Sequence, residues 1–216
     1  MAFNIVTLLT DANVGRAEEI YRFFRSRGFP FLQFINCLER VRETDRLEDF
    51  SVGTAEVGDF YRALFDLWIA DGFPNVSVRL FEDILIYLID GVHVSCCWMD
   101  ACDSYLVVEH NGDCYPCDFF VDPNWKVGNL VGDDVVAIME NPLRRRFSAM
   151  KSNLPESCRG CELSGFCNGD CTKFRRGLSG GTPGPSEYCE AWRSLLQHMA
   201  PHIPRIREAV ARIRSQ

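Results

Sequence analysis

The stretch Cys158-Arg159-Gly160-Cys161-Glu162-Leu163-Ser164-Gly165-Phe166-Cys167-Asn168-Gly169-Asp170-Cys171 spaces four thiols as C-x2-C-x5-C-x3-C. Upstream, Cys96 is followed after five residues by Cys102, then by nine residues, Gly112, four residues and Cys117; downstream comes Cys189. Buried structural thiols have no reason to recur at short spacing, whereas eight thiols in two regions meet the demand of two four-cysteine sites. A 4Fe–4S cube takes four thiolates, and a short C-x2-C loop supplies two of them from one turn. Structural zinc also takes four cysteines but usually pairs two such knuckles, and only Cys158 and Cys161 form one here. The series favours iron–sulfur over zinc. Cys97 and Cys114 read as spares, and Cys37, between Asn36 and Leu38, as a small buried hydrophobe. His93, His110, His198 and His202 show no ligand spacing.

Composition bounds the rest. The 216 residues are 47% hydrophobic and 25% charged, as in an ordinary soluble globular chain long enough for a real core. Eleven cysteines are too few for a disulfide scaffold, and the count is odd. The first residues, Met1-Ala2-Phe3-Asn4-Ile5, lack the basic region and cleavage pattern of a secretory signal. A reducing, cytoplasmic setting is therefore expected, in which clustered thiols bind metal more often than they pair. The longest apolar run, Ile84–Ile89, is bounded by Asp83 and Asp90, so no membrane span is expected. A net charge of −7 argues against nucleic acid as a partner.

Phe3–Leu9 and Phe31–Ile35 read as strands buried on both faces, joined by an amphipathic helix from Ala17 to Ser26. This is a parallel βαβ unit, and two parallel strands cannot cover their own edges, so the unit looks incomplete. A helix follows over 54–70, with Phe60, Leu64, Phe65 and Trp68 as core residues. Val76–Leu80 then reads as a strand and Phe81–Ile89 as a short helix. After Gly91 cysteines become dense. Asn111-Gly112 between strand-like runs predicts a type I′ hairpin, and Gly112 lets Cys102 and Cys117 meet at its base. Val127–Leu130 reads as a turn, and Asn141-Pro142 as the cap of a helix running through Met150. Arg144-Arg145-Arg146 reads as a solvated face, Ser179–Ser186 as a Gly/Pro-rich loop, and Trp192–Met199 and Ile206–Ile213 as closing helices.

The series Cys102-x9-Gly112-x4-Cys117, Cys158-x2-Cys161-x5-Cys167-x3-Cys171, Cys189 resembles the SPASM auxiliary-cluster domain of radical SAM enzymes. Gln33-Phe34-Ile35-Asn36-Cys37, Val76-Ser77-Val78-Arg79, Tyr115-Pro116-Cys117-Asp118-Phe119 and Leu130 after Gly128-Asn129 look like anaerobic sulfatase-maturating enzymes. That resemblance implies a mixed α+β or α/β fold. Residues 1–75 would be the last strands and helices of a partial (β/α) radical SAM barrel, and 76–216 a small SPASM domain with a hairpin and helices. It implies one auxiliary 4Fe–4S cluster on Cys96, Cys102, Cys117 and Cys171, a second on Cys158, Cys161, Cys167 and Cys189, and Asp118 as general base. The implied reaction oxidises a Cys or Ser of a client sulfatase peptide to formylglycine, with a radical made from S-adenosylmethionine.

One feature departs from the family. Its reductive-cleavage motif, C-x3-C-x2-C, leaves one iron of a third cluster open for S-adenosylmethionine, and no such spacing occurs here; Cys37 is the only cysteine before Cys96. The chain is therefore expected to be the C-terminal part of such an enzyme, partnered by a missing N-terminal radical SAM half and inactive alone. Modification of another peptide, or a non-catalytic iron–sulfur or zinc module that docks a peptide, are the competing readings.

Overall fold

The computed structural model describes residues 3–41, 44, 46–177 and 184–215. It has two compact units, one of residues 1–92 with 187–216, the other of 93–186. In the first unit the helix after the third strand packs on the sheet, and the C-terminal helix 189–199 packs on the helix 54–70.

In the first unit, β1 (Ile5–Leu9), α1 (Ala17–Ser26), β2 (Phe31–Asn36), α2 (Thr54–Ala70), β3 (Ser77–Val78) and α3 (Arg79–Asp90) alternate as the sequence predicts. The strands are parallel in the order β1-β2-β3, with Ile5 opposite Leu32 and Phe31 opposite Ser77. Glu18 and Glu19 in the first turn of α1 and Arg25 in its last turn suit the helix dipole. Phe60, Leu64, Phe65 and Trp68 of α2 are all buried, as expected, each contributing about 1.5–3 kcal/mol. The Trp68 indole N–H donates to the Val76 carbonyl at 2.7 Å, so this core aromatic also fixes the entry to β3. Two helices close the unit, α8 (Cys189–Met199) and α9 (Ile203–Arg214), each longer than its apolar stripe suggests. α8 approaches α2 closely at Gly58, where a Cβ would lie 3.4 Å from the Ala191 backbone.

Two expectations for this unit are corrected. Only Ser77 and Val78 of the expected strand 76–80 are extended. Arg79 and Leu80 join α3, where Arg79 pairs with Asp83 one turn on while Phe81, Ile84 and Leu85 supply a buried stripe of helical period. Nor is β1 buried on both faces. It is an edge strand whose Val6 and Leu8 are more than half exposed, because one side of the sheet is uncovered.

The second unit holds a three-stranded antiparallel sheet, β4 (Val107–Val108), β5 (Asp113–Tyr115) and β6 (Gly128–Asn129). Short helices follow: α4 (Val135–Met139), α5 (Pro142–Ser152), α6 (Glu156–Arg159) and α7 (Ser164–Cys167). Cys114, Val127 and Ile138 form a small core, with Leu106 and Leu143 against it. The hairpin is real, but its turn is not type I′. Glu109 N–H still bonds the Asp113 carbonyl at 2.8 Å, leaving a three-residue loop, 110–112, in which only Gly112 has positive φ (85°). A side chain there would also strike Asn129 and Val131 at 2.8 Å.

Residues 127–130 are no plain turn, since Gly128 and Asn129 pair with β5. Asn141 caps α5 as expected, accepting from Leu143 N–H at 2.8 Å. The arginine run is not wholly solvated either. Arg144 donates to the carbonyls of Met139, Asp103 and Tyr105, while Arg145 and Arg146 are exposed. Most of the expected loop 179–186 lies outside the described residues. Among the described residues, no helix is long and apolar enough to cross a membrane.

Candidate metal centre

Every one of the eleven cysteines is a free thiol. Seven of the eight proposed ligands lie in the second unit, and Cys189, the first residue of α8, lies in the first. Cys96 precedes the turn at Trp98, and Cys102 follows it, its sulfur 3.8 Å from the Thr172 hydroxyl. Cys117 leaves β5 and caps a 3-10 turn, Asp118–Phe120. Phe120 of that turn packs on Phe147 of α5 with ring centroids 5.0 Å apart, and Phe119 on Phe174 at 6.2 Å, which anchors Asp118 between two ring contacts. Asp118 itself is exposed and accepts from the Cys117 thiol at 3.4 Å.

Electrostatics ties four of these thiols together. Burial pushes the Cys96 thiol up, and the neighbouring Cys102 adds to it. Burial likewise raises Cys117 to about 12, with Asp118 and Cys102 contributing. Cys171 is raised further, by burial first and Asp170 next, and it also feels Cys117. Cys96, Cys102, Cys117 and Cys171 are thus consecutive electrostatic neighbours. Cys158, raised by burial, senses Cys161 instead and is drawn down by Arg175. These thiols hold their protons when buried without a cation, so any metal must displace protons as it binds. Among the described residues no three His, Cys, Asp or Glu side chains converge on the place of a single ion. The donor set is all thiol, and a cube accepts one thiolate at each of its four corners, so these residues fit an iron–sulfur cluster.

The C-x3-C interval has an unusual backbone. Asn168, Gly169 and Asp170 all have positive φ (45°, 72° and 59°), three left-handed residues in succession. Such a run is unfavourable outside glycine and persists only where its surroundings hold it. Here Arg175, fully buried, donates to the carbonyls of Asn168 (3.0 Å) and Gly169 (2.9 Å), and the Lys151 ammonium to that of Asp170. The Asp170 carboxylate in turn accepts from Cys171 N–H and the Ser186 hydroxyl, both at 2.7 Å. Asn168 reaches the Trp98 carbonyl at 2.6 Å, and Trp98 stacks on Phe166 of α7 at 4.6 Å, linking the Cys96 loop to the Cys167 helix. Lys151, Asp170 and Arg175 were invisible to motif reading, because one lysine, one aspartate and one arginine carry no spacing signal.

Of the other three cysteines, Cys97 has its thiol pushed up by burial and neighbours Cys171 and Cys96, while the other two are placed by packing. Cys37 is buried beside β2, and Cys114 sits in the small core. His198 pairs with Asp66 at 2.7 Å, His202 packs on Phe65, His93 contacts the Gly165 carbonyl and His110 is exposed.

Within this thiol-rich scaffold of hairpin and short helices, residues 96–162 match the SPASM family, described as an iron-sulfur cluster-binding domain. Over nearly its whole length the chain is homologous to anaerobic sulfatase-maturating enzymes and corresponds to their C-terminal part. It is 30% identical over 204 residues to the cysteine-type enzyme of Clostridium perfringens (strain 13), covering 93% of this chain and 55% of that one. It is 28% identical over 217 residues to the serine-type enzyme of Bacteroides thetaiotaomicron, covering 93% and 52%. The solved structure "Native anSMEcpe with bound AdoMet and Cp18Cys peptide" superposes with a TM-score of 0.88 at 27% identity, over 96% of this chain and 58% of that one. The chain spans about half the length of the curated relatives it matches.

Proposed function

We propose that the chain is the auxiliary-cluster and substrate-facing part of a radical SAM oxidoreductase that converts a Cys or Ser of a client sulfatase peptide to formylglycine. The observation that carries this reading is the chain of electrostatically linked thiols Cys96, Cys102, Cys117 and Cys171, with Asp118 against Cys117, on a scaffold shared with sulfatase-maturating relatives. The second set in this reading is Cys158, Cys161, Cys167 and Cys189. Removing a hydrogen atom, a proton and an electron gives the aldehyde directly from Ser, and from Cys a thioaldehyde that water hydrolyses with release of hydrogen sulfide; bound S-adenosylmethionine and clusters would supply the acceptors for the hydrogen atom and the electron.

The proton falls to the chain's own residues. Once Cys117 is a thiolate it has no proton to donate, and the exposed Asp118 carboxylate is open to accept one from a substrate. Phe119 and Phe120 hold it in place through Phe174 and Phe147. The 216 residues contain no C-x3-C-x2-C motif, so in this reading radical formation depends on a half that supplies one. The test joins the chain to that half and compares Asp118→Asn with the parent. Asparagine is nearly isosteric but cannot take the proton. Formylglycine formation should fall about 10²-fold or more with S-adenosylmethionine cleavage retained. Undiminished product would remove Asp118 from the mechanism.

A further inference from the structure

Three charged side chains are buried together in the second unit, and the proposed chemistry uses none of them: Lys151, Asp170 and Arg175. Isolated charges are expensive to bury and are tolerated only when paired and hydrogen-bonded. Lys151 is fully buried near the end of α5, and its ammonium donates to two carbonyls, those of Cys97 (2.7 Å) and Asp170. Each carbonyl belongs to the residue next to a thiol of the same proposed set, Cys97 beside Cys96 and Asp170 beside Cys171. Lys151 therefore joins two chain segments, 73 positions apart, that carry half of one ligand set.

Resting on the cluster reading above, we propose that Lys151 is a positioning residue for that site, fixing the Cys96 and Cys171 backbones and supplying a buried positive charge beside the cluster they would hold. A cube on four thiolates carries net negative charge, and its potential responds to nearby charge and hydrogen bonds. The Asp170 carboxylate, equally buried, accepts from the Cys171 N–H at 2.7 Å and so places the opposite charge beside the same ligand. Removing Lys151 would leave that negative charge beside the ligand with Arg175 as its remaining cationic neighbour. Arg175 differs in role. It also binds the carbonyls of Met150, Asn153 and Lys151 at the end of α5, and that of Asn168, which lies beside Cys167 of the other set.

The test uses the whole 216-residue chain, loaded anaerobically with iron and sulfide, and reads iron, acid-labile sulfide and the midpoint of each cluster by an EPR-monitored redox titration. In Lys151→Gln one of two midpoints should move to more negative values, or one cluster's worth of iron and sulfide should be lost, with the other cluster unchanged. In Asp170→Asn, which removes the opposing charge, the same midpoint should move to more positive values. Should Lys151→Gln take up no iron at all, Lys151→Arg decides, because it keeps charge and donors. Recovery of both clusters supports the proposal, and failure to recover either overturns it. Unchanged loading and unchanged midpoints in Lys151→Gln would also overturn it, and would leave the cluster reading intact. A parent chain that takes up no iron and sulfide would overturn the cluster reading and this inference with it.

Discussion

Arg175→Met gives the most demanding stability test of the second unit. The guanidinium is fully buried and donates to five carbonyls: Asn168, Gly169, Met150, Lys151 and Asn153, at 2.8–3.4 Å. Methionine fills much of the volume and donates nothing, so those acceptors lose their partner inside the protein. Each bond to a charged donor is worth about 1.5–3 kcal/mol, but five do not add, and losing the guanidinium also removes the cost of burying it. Burial opposes the charged form of Arg175, partly offset by Cys158 and Asp170, so that cost is real. The net loss should be about 3–5 kcal/mol, in the range seen when one member of a buried charged network is removed. The left-handed run 168–170 would lose two of its three hydrogen bonds from cations and open first. Hydrogen exchange read by mass spectrometry over 142–177 should accelerate about 10²–10³-fold or more, with little change in α1 and α2. An acceleration below about fivefold, equivalent to under about 1 kcal/mol, would show that the carbonyls find other donors and that Arg175 does not hold the loop.

Two further outcomes follow from single sites. Gly112→Ala should destabilise the hairpin by about 2–3 kcal/mol, from its left-handed φ of 85° and the 2.8 Å contacts with Asn129 and Val131, seen as faster exchange over 107–115; wild-type protection would refute the turn assignment. The Asp71 carboxylate is held below its usual range by Arg25, to which it bonds at 2.7 Å, so its contribution to stability is complete above about pH 4 and lost as pH falls through the depressed folded value. The gap in unfolding free energy between the parent and Asp71→Asn should open as pH rises through that window and stay constant above it, and a gap independent of pH throughout would contradict the pairing.

Periodicity made most of the first unit legible. The expected bounds of α1 and α2 coincide with the structure, because their apolar residues recur at helical spacing and no alternative pattern competes. At 76–80 two patterns overlap, and the stripe Phe81, Ile84, Leu85 drew Arg79 and Leu80 into the helix. The continuous apolar run of β1 correctly signalled a parallel strand, but run composition cannot tell which face will be covered, and Val6 and Leu8 face outward. The Asn111-Gly112 signal found the hairpin and missed the turn type, which depends on how far pairing continues past Val108, a property of both strands. Cysteine spacing located the candidate centre because thiol ligands cluster at fixed short intervals. The buried cations that hold the Cys167–Cys171 interval lie on α5 and beyond, at distances in sequence that no local motif records.

The central claim is that the thiols hold iron–sulfur clusters. Quantifying iron, acid-labile sulfide and zinc together in protein isolated without oxygen tests it most directly. Eight thiolates grouped in two fours should give close to two 4Fe–4S clusters per chain, with zinc far below one equivalent. Stoichiometric zinc with little sulfide in freshly isolated protein would contradict it.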